Sequence, residues 1–214
     1  MEQKNSLISV YGVGNLKVQP NVIYVSITIS DTSNTISVAQ AEVNKKIKLL
    51  LNIFKELEIE KFQTSAIKFQ PEYRWENNSQ ILIGQKVEQG VIVTITDINK
   101  NLQKAKDLLD KITNDIDSLT CSMNFGLDNY QEKVAEARTL AYNNAFEKAK
   151  QYAKLAGLEI IKTIKISEFE TGSSDYSYEC CDSASIGSSG SVSTEISVGE
   201  TEIEAKLYCD FMAI

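Results

Sequence analysis

The chain has 214 residues, 43% hydrophobic and 24% charged, with a net charge of −7 and no histidine. Its basic residues are interspersed with acidic ones, which argues against nucleic acid or anionic lipid as a partner, since both need a clustered basic face. Lacking histidine, the chain has no Ser-His-Asp or Cys-His triad, no histidine base and none of the commonest zinc sites; catalysis would rest on carboxylates, lysine, tyrosine or thiols.

Leu7 to Val18 alternates as a strand that contains Gly12 and Gly14. A dinucleotide fingerprint needs a third glycine and a following helix. Here the strand continues through Leu16 and Val18, so the pair reads as a place of close backbone approach or a bulge. Gln19-Pro20-Asn21 is a turn, and Val22 to Ser30 alternates cleanly, with Ile23, Val25, Ile27 and Ile29 on one face. The spacing predicts that these two strands form a hairpin.

A helix is predicted from Thr35 to Leu57, with Ala39, Val43, Ile47, Leu50, Phe54 and Leu57 on one face. Phe62 to Trp75 is the next strand, and Pro71 inside it points to a sheet edge or a bulge. Phe69, Tyr73 and Trp75 are expected to pack in the core or along an edge; an exposed aromatic contact for another subunit is the alternative. After a turn at Glu76-Asn77-Asn78-Ser79, Ile81 to Thr96 returns as a strand, interrupted near Gly84 and Gly90. Asp97 is a suitable N-cap for a second helix with Ile98, Leu102, Ala105, Leu109 and Ile112 facing inward. Leu119 to Leu127 alternates again.

The third helix, Glu132 to Ala156, carries Ala137, Ala141, Ala145, Ala149 and Ala153 at strict four-residue spacing. Val134, Leu140, Tyr152 and Ala156 are expected to widen that apolar stripe. Methyl groups alone let a helix approach its neighbour closely, so the stripe predicts tight packing on a sheet. Glu132, Glu136 and Arg138 read as a solvated face. Gly157 is a left-handed stop, and Leu158 to Ile166 reads as a buried strand. A last strand has Ile203, Ala205, Leu207, Cys209 and Phe211 on one face.

The order ββ-α-ββ-α-β-α-ββ defines an α+β protein of mostly antiparallel sheet with three helices. Residues 7–214 read as one domain, with two α/β lobes as the alternative. Residues 171–193 are rich in serine and glycine and read as a flexible surface loop. That loop carries Cys180 and Cys181, a candidate redox or ligand site beside Glu179 and Asp182. The pair is not a Cys-x-x-Cys motif and no cation stands near to lower a thiol pKa, so two incidental thiols is the favoured reading. Cys121 and Cys209 lie on the apolar phase of strands and are expected in the core. No cofactor or resident metal is expected. No apolar run approaches the roughly 20 residues needed to cross a bilayer. Residues 1–10 have one lysine and no apolar h-region, so the sequence as given reads as lacking a signal peptide. That fits either a cytoplasmic chain or a mature exported form.

Taken together, the chain resembles the SIMPL-domain family, long catalogued as a domain of unknown function. Its bacterial members include an oxidative-stress defence protein and periplasmic surface antigens. The resemblance rests on Ile8-Ser9-Val10-Tyr11-Gly12-Val13-Gly14, Val18-Gln19-Pro20-Asn21, Ala41-Glu42-Val43-Asn44 and Phe62-Gln63-Thr64-Ser65. It continues through Pro71-Glu72-Tyr73, Ile83-Gly84-Gln85, Asn124-Phe125-Gly126-Leu127, Glu136-Ala137-Arg138 and Ile196-Ser197-Val198-Gly199. Asn21 departs from the family pattern, which usually has aspartate after that proline. The resemblance implies an α+β fold, location in the periplasm or cell envelope, and in some members assembly into rings. It implies no reaction. The expected function is therefore a non-enzymatic, self-associating envelope protein, a homo-oligomer linked to stress protection. A small module binding a peptide or ligand, and thiol redox activity at Cys180 and Cys181, are the alternatives.

Overall fold

The computed structural model describes residues 6–76, 79–169 and 198–214. In chain order these form β1 (Ser6–Val18), β2 (Val22–Ser33), α1 (Ile36–Glu56), β3 (Phe62–Glu76), β4 (Ser79–Thr96), α2 (Ile98–Asp115), β5 (Leu119–Gly126), α3 (Tyr130–Ala156), β6 (Ile160–Glu168) and β7 (Thr201–Ala213). The order and the α+β class are those the sequence predicts. The elements sort into two compact units, one from β1, α3, β6 and β7 and one from β2 through β5.

In the first unit the antiparallel sheet runs β1-β7-β6, and α3 lies across one face of it. Every alanine of the five-membered stripe is buried. The stripe meets β1 at Gly12 and Gly14, where the strand has no side chains. A Cβ built on Gly12 would sit 2.0 Å from the Ala141 carbonyl oxygen, and one on Gly14 would sit 2.1 Å from that of Ala137. The two glycines therefore serve close backbone approach, as their place in a continuing strand predicts. Bulk comes from the neighbouring strand, whose Ile203, Ala205, Leu207, Cys209 and Phe211 are all buried. Tyr142 and Phe146 of α3 stack together and tilt against Phe211.

Three expectations need correction in this unit. The first two strands do not form a hairpin: β1 pairs with β7, while β2 pairs with β4 and β5 in the other sheet. The short Gln19-Pro20-Asn21 segment suits a hairpin locally, but Gly12 and Gly14 of β1 suit close approach of the alanine helix. Leu140, Tyr152 and Ala156 do not widen the stripe; they are exposed, because a strict four-residue ladder leaves only a narrow buried strip. Tyr142 and Phe146 flank it instead. β6 is an exposed edge strand, with Ile161, Ile164 and Ile166 in solvent and two register shifts against β7. A short apolar run does not reveal whether a strand is central or at an edge. Gly157 is left-handed, at φ 69°, as predicted.

The second unit is an antiparallel sheet of order β3-β4-β2-β5 with α1 and α2 on one face. Its core takes Ile23, Val25, Ile27 and Ile29 from β2, and Val87, Val91, Val93 and Ile95 from β4. The helices contribute Val43, Leu50, Phe54, Ala105, Leu108, Leu109 and Ile112. Asp97 occupies the N-cap position of α2 but makes no side-chain cap hydrogen bond. Its backbone is left-handed, and its carbonyl accepts from the Lys100 and Asn101 amides. β4 is not interrupted at its glycines. The irregularity appears as register shifts against β3, between Thr64 and Ala66 near Gly90 and between Glu72 and Tyr73 next to Gly84. Pro71 lies on an edge strand beside the second shift, as its ring requires.

Asn21 is a four-way node in this unit. Its amide donates to the Gly126 carbonyl and its carbonyl accepts from Ile98. Its side chain donates from Nδ2 to Asp128 Oδ1 at 2.5 Å and accepts at Oδ1 from the Asp128 amide at 3.0 Å. The pair clasps the two ends of the unit's long segment, Pro20–Asp128. Asn21→Asp places two carboxylates in contact, and is expected to cost about 1–2 kcal/mol at neutral pH. The cost shrinks as the pH falls through the carboxylate range near 4 and one group protonates. The exchanged pair, Asn21→Asp with Asp128→Asn, restores the donor and recovers most of the loss in urea unfolding. A double variant as unstable as the single one would refute the clasp.

Lys46 bridges Asp31 at 3.2 Å and Asp117 at 3.1 Å and donates to the Ser30 carbonyl. Burial alone would lower its pKa, but the two carboxylates outweigh that and hold it above the ordinary lysine value of 10.5. A raised folded pKa gives stability that is fully present below the unfolded value and lost as pH rises through the folded one. The stability gap between the wild type and Lys46→Met is therefore expected to hold up to about pH 10 and narrow above it. Chemical unfolding at a series of alkaline pH values reads this directly.

Candidate interaction surface

Past the end of β2, where Ser33 faces Gln85, β4 continues as Ser79–Gly84 with β3 as its only sheet partner among the described residues. The result is a two-stranded arm of about 20 Å at ~3.3 Å per residue. Residues opposite one another share a face. Tyr73 with Leu82 and Trp75 with Gln80 make one face, free of charge. Arg74 with Ile81 and Glu76 with Ser79 make the other, where Arg74 and Glu76 pair at 3.4 Å. Trp75 is 68% exposed, and Tyr73, Ile81, Leu82 and Ile83 are exposed as well. The aromatic residues near Pro71 thus lie at the surface on the edge strand β3 and not in the core. A two-stranded ribbon with nothing packed on it is marginal in water.

A second apolar surface is the face of the β1-β7-β6 sheet that points away from α3. Leu7 lies opposite Met212, Tyr11 opposite Tyr208, and Val13 opposite Lys206. Tyr11 is 58% exposed, with its ring 5.1 Å from Tyr208 and 5.7 Å from Phe169. Lys162 and Lys165 of β6 stand beside Met212 and Asp210 along this face.

Two of the four sheet edges, β1 and β3, are by contrast blunted. On β1 the Val13 amide donates to Asn144 Oδ1 at 3.2 Å, and the Tyr11 carbonyl accepts from Lys148 Nζ at 2.9 Å. Two α3 side chains therefore occupy the backbone groups a foreign strand would use. β3 has Pro71, Lys68 and two register shifts, devices that blunt an edge.

Chemistry is sparse among the described residues. No group of three or more Cys, Asp or Glu side chains is placed to hold a metal. A shallow open recess of about 250 Å³ is lined by Lys61, Phe62, Gln63, Ile92 and Thr94, with no converging acids. Cys209 is buried in the core, as expected; Cys121 is only half-buried, at the core's margin. Burial pushes the Cys121 thiol up to about 11, away from thiolate reactivity. Cys180, Cys181 and the 171–193 loop lie outside the described residues. Arg138 is exposed and pairs with Glu168 at 2.7 Å, and Lys133 pairs with Glu136, as a solvated helix face implies. No described helix is long and apolar enough to cross a membrane.

Sequence reasoning missed the open face of the first sheet. Its signal was available: Leu7, Tyr11 and Val13 make the second phase of β1 as apolar as the first, which marks a strand with something to cover on both sides.

These features define an α+β protein of two antiparallel sheets, each backed by helix, with contact surface in place of a chemical centre among the described residues. The chain belongs to the SIMPL family, described as a protein of unknown function (DUF541), whose model matches residues 8–211. No curated protein matches the sequence. Among solved structures, a crystal structure of an amidase (hydantoinase/carbamoylase family) from Burkholderia phymatum is similar over 60% of this chain and 33% of its own. The identity is 9% and the TM-score 0.24, a likeness too slight to bear on fold or activity. This chain spans about a third of that protein's length.

Proposed function

We propose that this SIMPL-family chain is a non-enzymatic, self-associating protein of the cell envelope that contributes to protection against oxidative stress. The observation that carries self-association is the arm, a two-stranded ribbon on whose uncharged aromatic face no layer is packed among the described residues. Burying that face on another copy supplies the second layer that a ribbon lacks. The blunted edges of β1 and β3 favour this over capture of an extended peptide. The envelope location and the protective role rest on the family resemblance. The absence of histidine from the chain supports a non-enzymatic reading.

Light scattering across a concentration series tests association: the particle mass is expected to exceed one chain at micromolar protein. One-chain mass throughout refutes it. Cell fractionation tests location. A deletion strain that survives peroxide as well as its parent refutes the protective role.

A further inference from the structure

The self-association reading leaves open what the arm binds. We propose that the uncharged face of the arm, Tyr73, Trp75 and Leu82, docks on the open aromatic face of the β1-β7-β6 sheet in a second copy of this chain. The proposal rests on the self-association reading and assigns its two surfaces.

Three observations lead there. The first is area. An arm packed on an identical arm brings only Tyr73, Trp75 and Leu82 from each copy. Large aromatics bury about 150–250 Å² each, so the four rings of such a contact cover about 600–1,000 Å², and its two leucines bring it only to the low end of the roughly 1,200–2,000 Å² of a stable interface. The open sheet face adds Leu7, Tyr11, Val13, Tyr208 and Phe169, and each copy owns both surfaces.

The second is charge. Two chains of net charge −7 repel, so contact is favoured where that charge is locally absent or reversed. The arm's docking face is uncharged, with Arg74 and Glu76 paired on its other face. The β6 side of the sheet face carries Lys162 and Lys165, with Asp210 opposite Lys165. An uncharged face thus meets one on which the net negative charge of the chain is locally offset.

The third is shape. Sheet layers pack face to face about 10 Å apart, and a twisted two-stranded ribbon is a layer of that kind. Laid over Tyr11 and Tyr208, it gives the first sheet a second covered face, with α3 already on the other.

Photo-crosslinking tests the assignment. The photoreactive residue p-benzoylphenylalanine replaces Trp75, and isotopically heavy and light chains are mixed before irradiation. Heavy–light cross-links are expected on peptides from Leu7 to Val13 or Lys206 to Met212. Links on the arm peptide of the other copy, or elsewhere on it, overturn the proposal while leaving self-association standing. A wild type of one-chain mass that yields no heavy–light links overturns both. Binding of that one-chain species to phosphatidylcholine vesicles, lost in Trp75→Thr, points to a lipid surface and also overturns it. As a second measurement, Tyr11→Thr with Tyr208→Thr keeps strand propensity on an outward face. It is expected to drop the particle mass to that of one chain with an unchanged circular dichroism spectrum. Retention of the wild-type mass overturns the proposal.

Discussion

Gly14→Ala is expected to destabilise the protein by about 3 kcal/mol or more, the loss that forced overpacking produces when neither side can yield. A single methyl group does this because of where it lands. It would lie 2.1 Å from the Ala137 carbonyl oxygen and 2.5 Å from the Ala141 nitrogen, both main-chain atoms of α3. Side chains at a helix surface can change rotamer; a helix backbone moves only as a body. Lifting α3 off β1 would also break the Asn144 and Lys148 bonds to the strand edge and open the seam below the whole alanine ladder. Gly12→Ala meets the same obstacle at Ala141 and Ala145 and should cost as much. Gly199→Ala is the control: nothing lies within 4 Å of its Cβ, so its effect should stay within about 0.5 kcal/mol. Gly157→Ala is intermediate, about 1 kcal/mol, because its left-handed φ strains any L side chain although the space is open. Urea midpoints at unchanged m-value measure the series. A Gly14→Ala variant as stable as Gly199→Ala would mean that helix and strand do not touch as described.

That seam also shows how far the sequence could be read. The alanine ladder was legible because four-residue spacing on a helix marks a narrow strip of methyls, and only a close neighbour uses such a strip. The glycines of β1 were legible as a close-approach site. Their pairing was not legible from local pattern, because Gly14 and Ala137 are far apart in sequence and a plausible turn stood between β1 and β2. Turn chemistry is local, whereas sheet membership is settled by which faces fit. β6 was misjudged for a related reason: its isoleucines fit a core strand as well as an edge strand, and only the register against β7 separates the two. In the second unit the helix stripes and the β2 alternation held, since α1, α2 and β2 each have one buried face and one face at least partly exposed. The interaction surface was partly visible as aromatics near Pro71. The open face of the first sheet was not, because it exists only once β1 and β7 lie side by side.

Phe211→Ala is expected to cost about 4 kcal/mol, toward the upper end for removal of a buried ring. Phe211 is fully buried, with its ring 5.7 Å from Phe146 and 6.3 Å from Tyr142. Such losses vary with how far the surroundings can collapse into the cavity, and here collapse is blocked. The alanine stripe next to Tyr142 and Phe146 offers only methyl groups that have no reach. The helix itself is held at a fixed height by the bare backbone of Gly12 and Gly14 beneath Ala137, Ala141 and Ala145. Tyr142 is also tethered, its hydroxyl 2.8 Å from Thr163 Oγ1. The cavity therefore stays open and its lining loses contact outright. Phe211→Leu should recover roughly half the loss, since it returns most of the volume without the ring. The sharper expectation concerns coupling. In a Gly14→Ala background the helix is already lifted, so the layer can rearrange around the missing ring. The double variant should then lose less than the sum of the singles, by about 1 kcal/mol. Strict additivity of the two losses would show that the glycine seam does not set the height of the helix over the sheet.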